Sequence, residues 1–393
     1  MYIVQRVLNS LKNINPSIKA YALSLMLAKG RKNCAEMSRS IGISEKSLYH
    51  FLAKSIINTE EIEKKLVLLI NETRVKSIRR ALVIDPTAII KHYAQKIEKI
   101  CHDRTGCTKK VEKVLVPVYA AIIDENVTIP LTLDFWVQEK IIGKKKYKSK
   151  MEIAQALMIS AKKMGIDFDF VALDGAFSFP VMFDFFKKNE RESFAMRIAK
   201  SRLIKTEDGI TAQLKSHQAL KLHRNEREKT IKAKFASKKN KDNTYYFFTA
   251  QKRKTRDGEW EVVYIVSNMK LPAKEQVAAY NLRSSIEKMI RTTKQKFGAT
   301  QCQAIAASKQ QAHVMAGFLA YSILNIAKND KQTESVDFLV NELRDFHSND
   351  LVREIMKSKS LKIDKNIDLD AKQIQNYPHL TRVNADQIIF RRS

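Results

Sequence analysis

The chain has 393 residues, with 71 Lys+Arg against 42 Asp+Glu, a formal net charge of +29. Its 44% hydrophobic content excludes a disordered tail, and 10 Gly with 7 Pro exclude collagen-like and Pro-rich low-complexity chains. So large a positive surplus points to a polyanionic partner, nucleic acid ahead of an anionic membrane, and the length points to two or three domains.

The first 80 residues read as helical and basic, with 15 Lys+Arg and 6 Asp+Glu. Within them, CAEMSRSIGISEKSLYHFL (34–52) resembles a helix-turn-helix. Ala35–Ser40 form the first helix, Gly42 supplies a turn with positive φ, and Ser44 caps a second helix, Glu45–Leu52. Met37, Ile41, Ile43 and Leu48 pack the pair together; an ordinary helical hairpin is the competing reading. From residue 80 the pattern changes to strands at 80–90, 114–123 and 127–137. An amphipathic helix (149–164), a strand (168–177), a short helix (179–188) and a strand (193–199) follow. This order predicts an α/β fold with a mixed sheet, whose strand-final carboxylates line the ligand crevice. Residues 200–270 read as a β-rich insertion, with runs at 230–236, 243–252 and 260–267 and a hairpin signal at Asp257-Gly258. Helices return as one long helix, Lys274–Phe297, then 308–328 and 333–357. The N-terminus lacks the pattern of a signal peptide, and the most apolar helix, His313–Ile326, is too short for a bilayer. The four cysteines (Cys34, Cys101, Cys107, Cys302) have no zinc-site spacing and read as reduced thiols.

The chemistry concentrates in three places. Tyr280, Arg283, Glu287, Arg291 and Lys294 share one helical face, opposite Val277, Leu282, Ile286 and Met289. A solvated charged face is the plain alternative. Asp85 lies in one apolar run and Asp174 ends another, and an ionised Asp there is costly unless paired or metal-bound. Either alone suits a structural Asp. Three carboxylates together can hold two hard divalent cations for in-line phosphoryl displacement.

Tyr280-x2-Arg283-x3-Glu287-x6-Lys294 resembles the Y-R-E-K motif of a class of bacterial insertion-sequence transposases, cut-and-paste DDE enzymes with a ribonuclease-H-like catalytic core. Asp85-Pro86-Thr87 is similar to the family's first-Asp segment and Asp174-Gly175-Ala176-Phe177 to its second. The 112 residues between Asp174 and Glu287 leave room for the family's β-rich insertion, at about 200–270. The resemblance implies that Asp85, Asp174 and Glu287 are catalytic and ligate two Mg²⁺, with Mn²⁺ as a substitute. A metal-activated water would cut the DNA at the transposon end, and the freed 3′-hydroxyl would then attack target DNA. Arg283 and Lys294 would contact DNA phosphates, with Arg291 beside them, and Tyr280 would either donate its hydroxyl to a phosphate or pack at the helix start; phosphate contact is favoured. Paired ends imply a homodimer on double-stranded DNA, in the cytoplasm of a bacterium or archaeon and on its nucleoid. The domains expected are 1–79 (DNA-binding), 80–330 (catalytic core) and 331–393 (helical, dimerisation).

Two lysine-rich segments, Lys144-Lys145-Lys146 and Lys252-Arg253-Lys254 with Arg256, are either solvated loops or sequence-independent DNA contacts; DNA contact is the reading adopted. Some members of this class flip a base onto an aromatic. Trp260 is the stacking candidate and Trp136 the second, against ordinary packing for each. A domesticated relative that only binds DNA and a ribonuclease-H-type nuclease are the rival functions. The intact carboxylates oppose the first, and the insertion with the Tyr280–Lys294 stripe opposes the second.

Overall fold

The computed structural model describes residues 2–347, except 55–56, 93, 107, 190–191, 237–242, 256 and 333–334. The helices α1 (Tyr2–Ser10), α2 (Pro16–Leu27), α3 (Cys34–Ile41), α4 (Glu45–Ala53) and α5 (Thr59–Glu72) come first. The strands β1 (Ala81–Pro86), β2 (Ile89–Ile90), β3 (Cys101–Arg104), β4 (Val111–Ile123) and β5 (Thr128–Trp136) follow. Next are α6 (Glu139–Ile142), α7 (Lys150–Lys163), β6 (Phe170–Leu173), α8 (Pro180–Lys188) and β7 (Phe194–Ile198). The insertion holds β8 (Leu203–Thr206), β9 (Thr211–Gln213), β10 (Glu228–Phe235), β11 (Tyr245–Lys254) and β12 (Trp260–Ser267). The chain then runs through α9 (Ala273–Asn281), α10 (Ser284–Lys296), α11 (Ala307–Lys331), α12 (Val336–Glu342) and a final π turn, Leu343–His347.

The helix-turn-helix geometry at α3–α4 follows from its caps. Asn33 accepts from the Glu36 N–H, Gly42 takes φ 71°, and the Ser44 hydroxyl accepts from Ser47 N–H. Met37, Ile41, Ile43 and Leu48 are all buried. This region does not stand apart from the core, because α1, α2, α4 and α5 all pack on α11. Tyr21 Oη lies 2.8 Å from His313 Nδ1, whose Nε2 meets the Gly298 carbonyl at 2.8 Å. Lys32 N–H donates to Gln301 Oε1, tying the turn before α3 to the loop after α10.

One continuous sheet runs through the molecule. Its core order is β5-β4-β1-β6-β7, antiparallel from β5 to β1 and parallel from β1 to β7. This is a mixed α/β sheet of ribonuclease-H-like order. The insertion is not a separate layer: β12 pairs antiparallel with β7, and β11, β10, β8 and β9 extend the same sheet. The short strands β3, β8 and β9 go beyond the sequence reading. They are polar and edge-like, with no apolar run to reveal them.

The single helix expected over Lys274–Phe297 is instead two. Arg283 N–H bonds to Tyr280 O and Ile286 N–H to Arg283 O, three residues back rather than four. That tightened turn separates α9 from α10, although Leu282 and Arg283 keep right-handed helical angles. No glycine or proline marks it in the sequence. Of the helix expected at 333–357, the described part is α12 with the π turn; the rest, and most of 331–393, lie outside the described residues. Among the described residues Cys34, Cys101 and Cys302 are free, and no helix is long and apolar enough to cross a membrane.

Candidate active site

Strand register brings the first two carboxylates together. The last parallel pair between β1 and β6 is Ile84↔Leu173, and between β6 and β7 it is Leu173↔Met196. One residue further along each strand stand Asp85, Asp174 and Arg197, level on neighbouring strand ends. Strand-end carboxylates of an open α/β sheet face the crevice beyond it. Glu287 comes from the first turn of α10. Arg283, at the tightened turn, reaches all three: Nη2 lies 3.3 Å from Asp85 Oδ1 and 3.5 Å from Asp174 Oδ1, and Nη1 lies 2.8 Å from Glu287 Oε1. The Arg283 side chain is 13% exposed.

Three carboxylates share one cation, so the group is electrostatically under-compensated. Burial pushes the Asp85 carboxyl up to about 6, against the pull of Arg283 and with Asp174 and Glu287 adding to it. Burial works against the charge on Arg283, but Asp85, Asp174, Tyr280 and Glu287 outweigh it and hold the guanidinium protonated above its usual range. Among the described residues, Arg283 Nε is buried without a hydrogen-bond partner, a condition that costs about 1–3 kcal/mol.

The other motif residues take distinct positions. Tyr280 is buried against Ala195, Ile265 and Val277, and its phenol is pushed up chiefly by burial. Lys294 donates to Thr87 Oγ1 at 2.7 Å and to the Ala88 carbonyl at 2.9 Å, fastening α10 to the segment after Asp85. Arg291 is exposed on α10. Lys144, Lys145 and Lys146 form an exposed turn before α7. Arg253 is paired with Glu261, at 2.8 Å from Nε and 2.7 Å from Nη2. Arg256 lies outside the described residues. Trp260 is 53% exposed, with the Lys252 and Lys254 ammonium groups 5.4 and 5.5 Å from its ring centre. Trp136 is half-buried under Lys150, 4.3 Å from its ring centre.

Sequence reasoning assigned Arg197 no role and marked Thr87 only as part of the segment after Asp85. Arg197 interrupts the apolar strand SFAMRIA, the same signal that marked Asp85, and it lies beside Gly175, where an added Cβ would sit at ordinary contact distance, 3.5–3.7 Å. Its charge opposes the rise of the Tyr280 phenol.

Among the described residues, no three His, Cys, Asp or Glu side chains are arranged to hold an ion. The donor chemistry still fits a hard divalent cation: three carboxylates, from β1, the end of β6 and α10, converge on one positive group.

With this geometry in place, a family model described as DDE superfamily endonuclease matches residues 8–204, just over half of the chain. A transposase DDE domain model matches residues 148–323. The chain belongs to the DDE endonuclease superfamily, and its function is of the transposase and endonuclease type, which implies DNA as a partner. Members of this superfamily generally use divalent metal ions. The two models overlap at 148–204, so Asp174 falls within both, Asp85 within the first and Glu287 within the second. No curated protein matches the chain.

Proposed function

We propose that the chain is a transposase of the Y-R-E-K class that binds the terminal repeats of its own insertion sequence, cuts at their ends and joins the freed 3′ ends to target DNA. The observation that carries this reading is the convergence of Asp85, Asp174 and Glu287 on the single Arg283 guanidinium. These three carboxylates would hold two Mg²⁺, or Mn²⁺ in their place. When bound, such ions supply an acidified water and charge stabilisation at the attacking and leaving oxygens.

The chain's own residues position the strand. Arg283 offers a phosphate two parallel N–H donors, and Arg197 stands level with Asp174 to take a neighbouring phosphate. Lys294 sets the Thr87–Ala88 backbone beside Asp85, and Arg291 extends the cationic line along α10. Tyr280 acts by packing, holding the tightened turn against β7 and β12. The exposed face of α4, with Lys46, Tyr49 and His50, is the segment that enters the major groove. Lys144–Lys146 and Lys252–Lys254 add salt-dependent backbone affinity. Trp260 receives an unstacked base, and two protomers pair the ends in the cytoplasm, on the nucleoid.

The test uses the DNA flanking the gene. Plasmid-borne candidate repeats are incubated with Mg²⁺ and either wild-type protein or Asp174→Asn, and the products run on denaturing gels. End-specific cleavage by wild type alone is expected. Tight end-binding without cleavage by either protein, in Mg²⁺ or Mn²⁺, would leave only a DNA-binding relative.

A further inference from the structure

We propose that Arg283 keeps the metal site closed in the free protein: its guanidinium fills the point where the carboxylates converge and leaves it only for a DNA phosphate, so metal ions bind tightly only once DNA is seated. This rests on the assignment of Asp85, Asp174 and Glu287 as metal ligands, and it adds a positioning role to the phosphate contact proposed for Arg283.

Three observations point this way. First, both terminal nitrogens of one side chain are engaged, Nη2 by Asp85 and Asp174 and Nη1 by Glu287, so one oxygen of each carboxylate already faces the guanidinium at the point of convergence. A divalent ion at the same point would sit against a fixed positive charge. Second, the side chain has a reason to leave. Its Nε–H is buried without a partner, while a phosphate accepts a guanidinium through two parallel bonds. Third, the move is local. The backbone at Arg283 is anchored on both sides by buried Val277, Tyr280, Ile286 and Met289, so only side-chain torsions change. Arg197, level with Asp174, and Lys294, beside Asp85, mark the cationic rim along which the phosphate would lie.

The arrangement links two equilibria. If DNA raises the affinity for metal by some factor, metal raises the affinity for DNA by the same factor. A free protein that holds no metal at its carboxylates carries no armed nuclease centre, and assembly on DNA arms it.

The test is Mn²⁺ binding to the full chain, read as the loss of the free-ion electron paramagnetic resonance signal, with no catalytic readout. For wild type, a 30-base-pair duplex should raise Mn²⁺ affinity by about tenfold or more beyond binding to the duplex alone, within the usual range of coupling between sites. Arg283→Gln should bind Mn²⁺ about tenfold tighter than wild type without DNA, and its enhancement by the duplex should collapse. Arg283→Lys should lie between, since an ammonium keeps the charge but cannot span three carboxylates. Thermal melting checks that the variants fold; if Arg283→Gln does not, the wild-type measurement with and without duplex decides alone. Equal Mn²⁺ affinity in wild type and Arg283→Gln, abolished in both by Asp174→Asn, would overturn the gate and keep the metal site. A gain in Arg283→Gln that survives Asp174→Asn would instead show that the carboxylates are not the ligands, and the gate would fall with the proposed function.

Discussion

The two halves of the sheet use one hydrogen-bonded ladder and handle charge in opposite ways. In the catalytic half, β6 is buried throughout and β1 is buried until Asp85. In the insertion half, β10 is half-exposed along most of its length, and β11 and β12 expose their hairpin ends. Charge in the first half lies mostly toward strand ends, and at Asp85 and Arg283 burial makes it consequential. In the second half it rides on solvated faces, where each group contributes in small increments. Substitutions in the two halves should therefore differ in kind.

The largest effect is expected at Asp174. Asp174→Asn keeps the shape and removes one charge at the end of β6, so cleavage of labelled repeat DNA should fall by on the order of 10³-fold, comparable to losing a major electrostatic stabiliser. The melting temperature should barely move, because Asp174 lies outside the ladder and its side chain is 35% exposed. A variant retaining a tenth of the wild-type rate would remove the contrast between the halves.

Two ion pairs sharpen the comparison through stability. Arg80 and Asp124 are buried, 2.8 Å apart, and Arg80 also donates to the carbonyls of Ile70 and Thr73. Asp124→Ala strands a buried guanidinium between α5 and the β4–β5 turn and should cost about 3–5 kcal/mol. Lys232 and Glu207, 2.6 Å apart in the insertion, are about half exposed. Glu207→Ala there should cost no more than about 1 kcal/mol. Urea midpoints of the two variants check the difference, and equal shifts would break the rule.

Acid should act on the catalytic half through His313. Burial lowers its imidazole to about 4, with the Gly298 carbonyl bond opposing, whereas the unfolded residue titrates near 6.5. Between these values the unfolded chain binds the extra proton, so stability from the neutral imidazole is complete above about pH 6.5 and is lost as pH falls toward 4. The full loss is on the order of 3 kcal/mol. His313→Gln should flatten the urea midpoint against pH over this window while lowering it at pH 7, since Tyr21 loses a partner.

Much of this fold was legible because apolar runs and turn signals are local. Gly42 and Ser44 announced the helix-turn-helix, and Asp85 and Asp174 stood out as charges in apolar strands. Their side-by-side placement was legible only through the motif resemblance, not from local pattern. It depends on β1 and β6 being neighbours in parallel register, a long-range pairing that no local pattern encodes. The turn at Arg283 was equally hidden, since Leu282-Arg283-Ser284 carries no helix breaker and the tightening answers to packing of Tyr280 on one side and Ile286 on the other. The five-residue motif spacing therefore suggested one charged face, whereas Tyr280 is buried, Arg283 turns in to the carboxylates and only Glu287 and Arg291 remain exposed.

The smallest effects belong to the tip of the insertion, and alternation decides which residues act together. Lys254 pairs with Trp260 and Lys252 with Val262, so these four share one face of the ribbon, while Arg253 and Glu261 share the other with Ile265, the face that α9 covers. Trp260 therefore projects from the face opposite Tyr280, with Lys252 and Lys254 flanking its ring. Trp260→Ala should weaken binding of an unpaired transposon end by about 1–3 kcal/mol and leave duplex binding nearly unchanged. Lys254→Ala should do less. It should lower affinity for every duplex alike and reduce the slope of log affinity against log salt by about one. A filter-binding series over salt, run on repeat and random duplexes, separates the outcomes. A loss confined to the repeat would make Lys254 a reader of sequence and would mean that the two halves do not divide the work as their burial suggests.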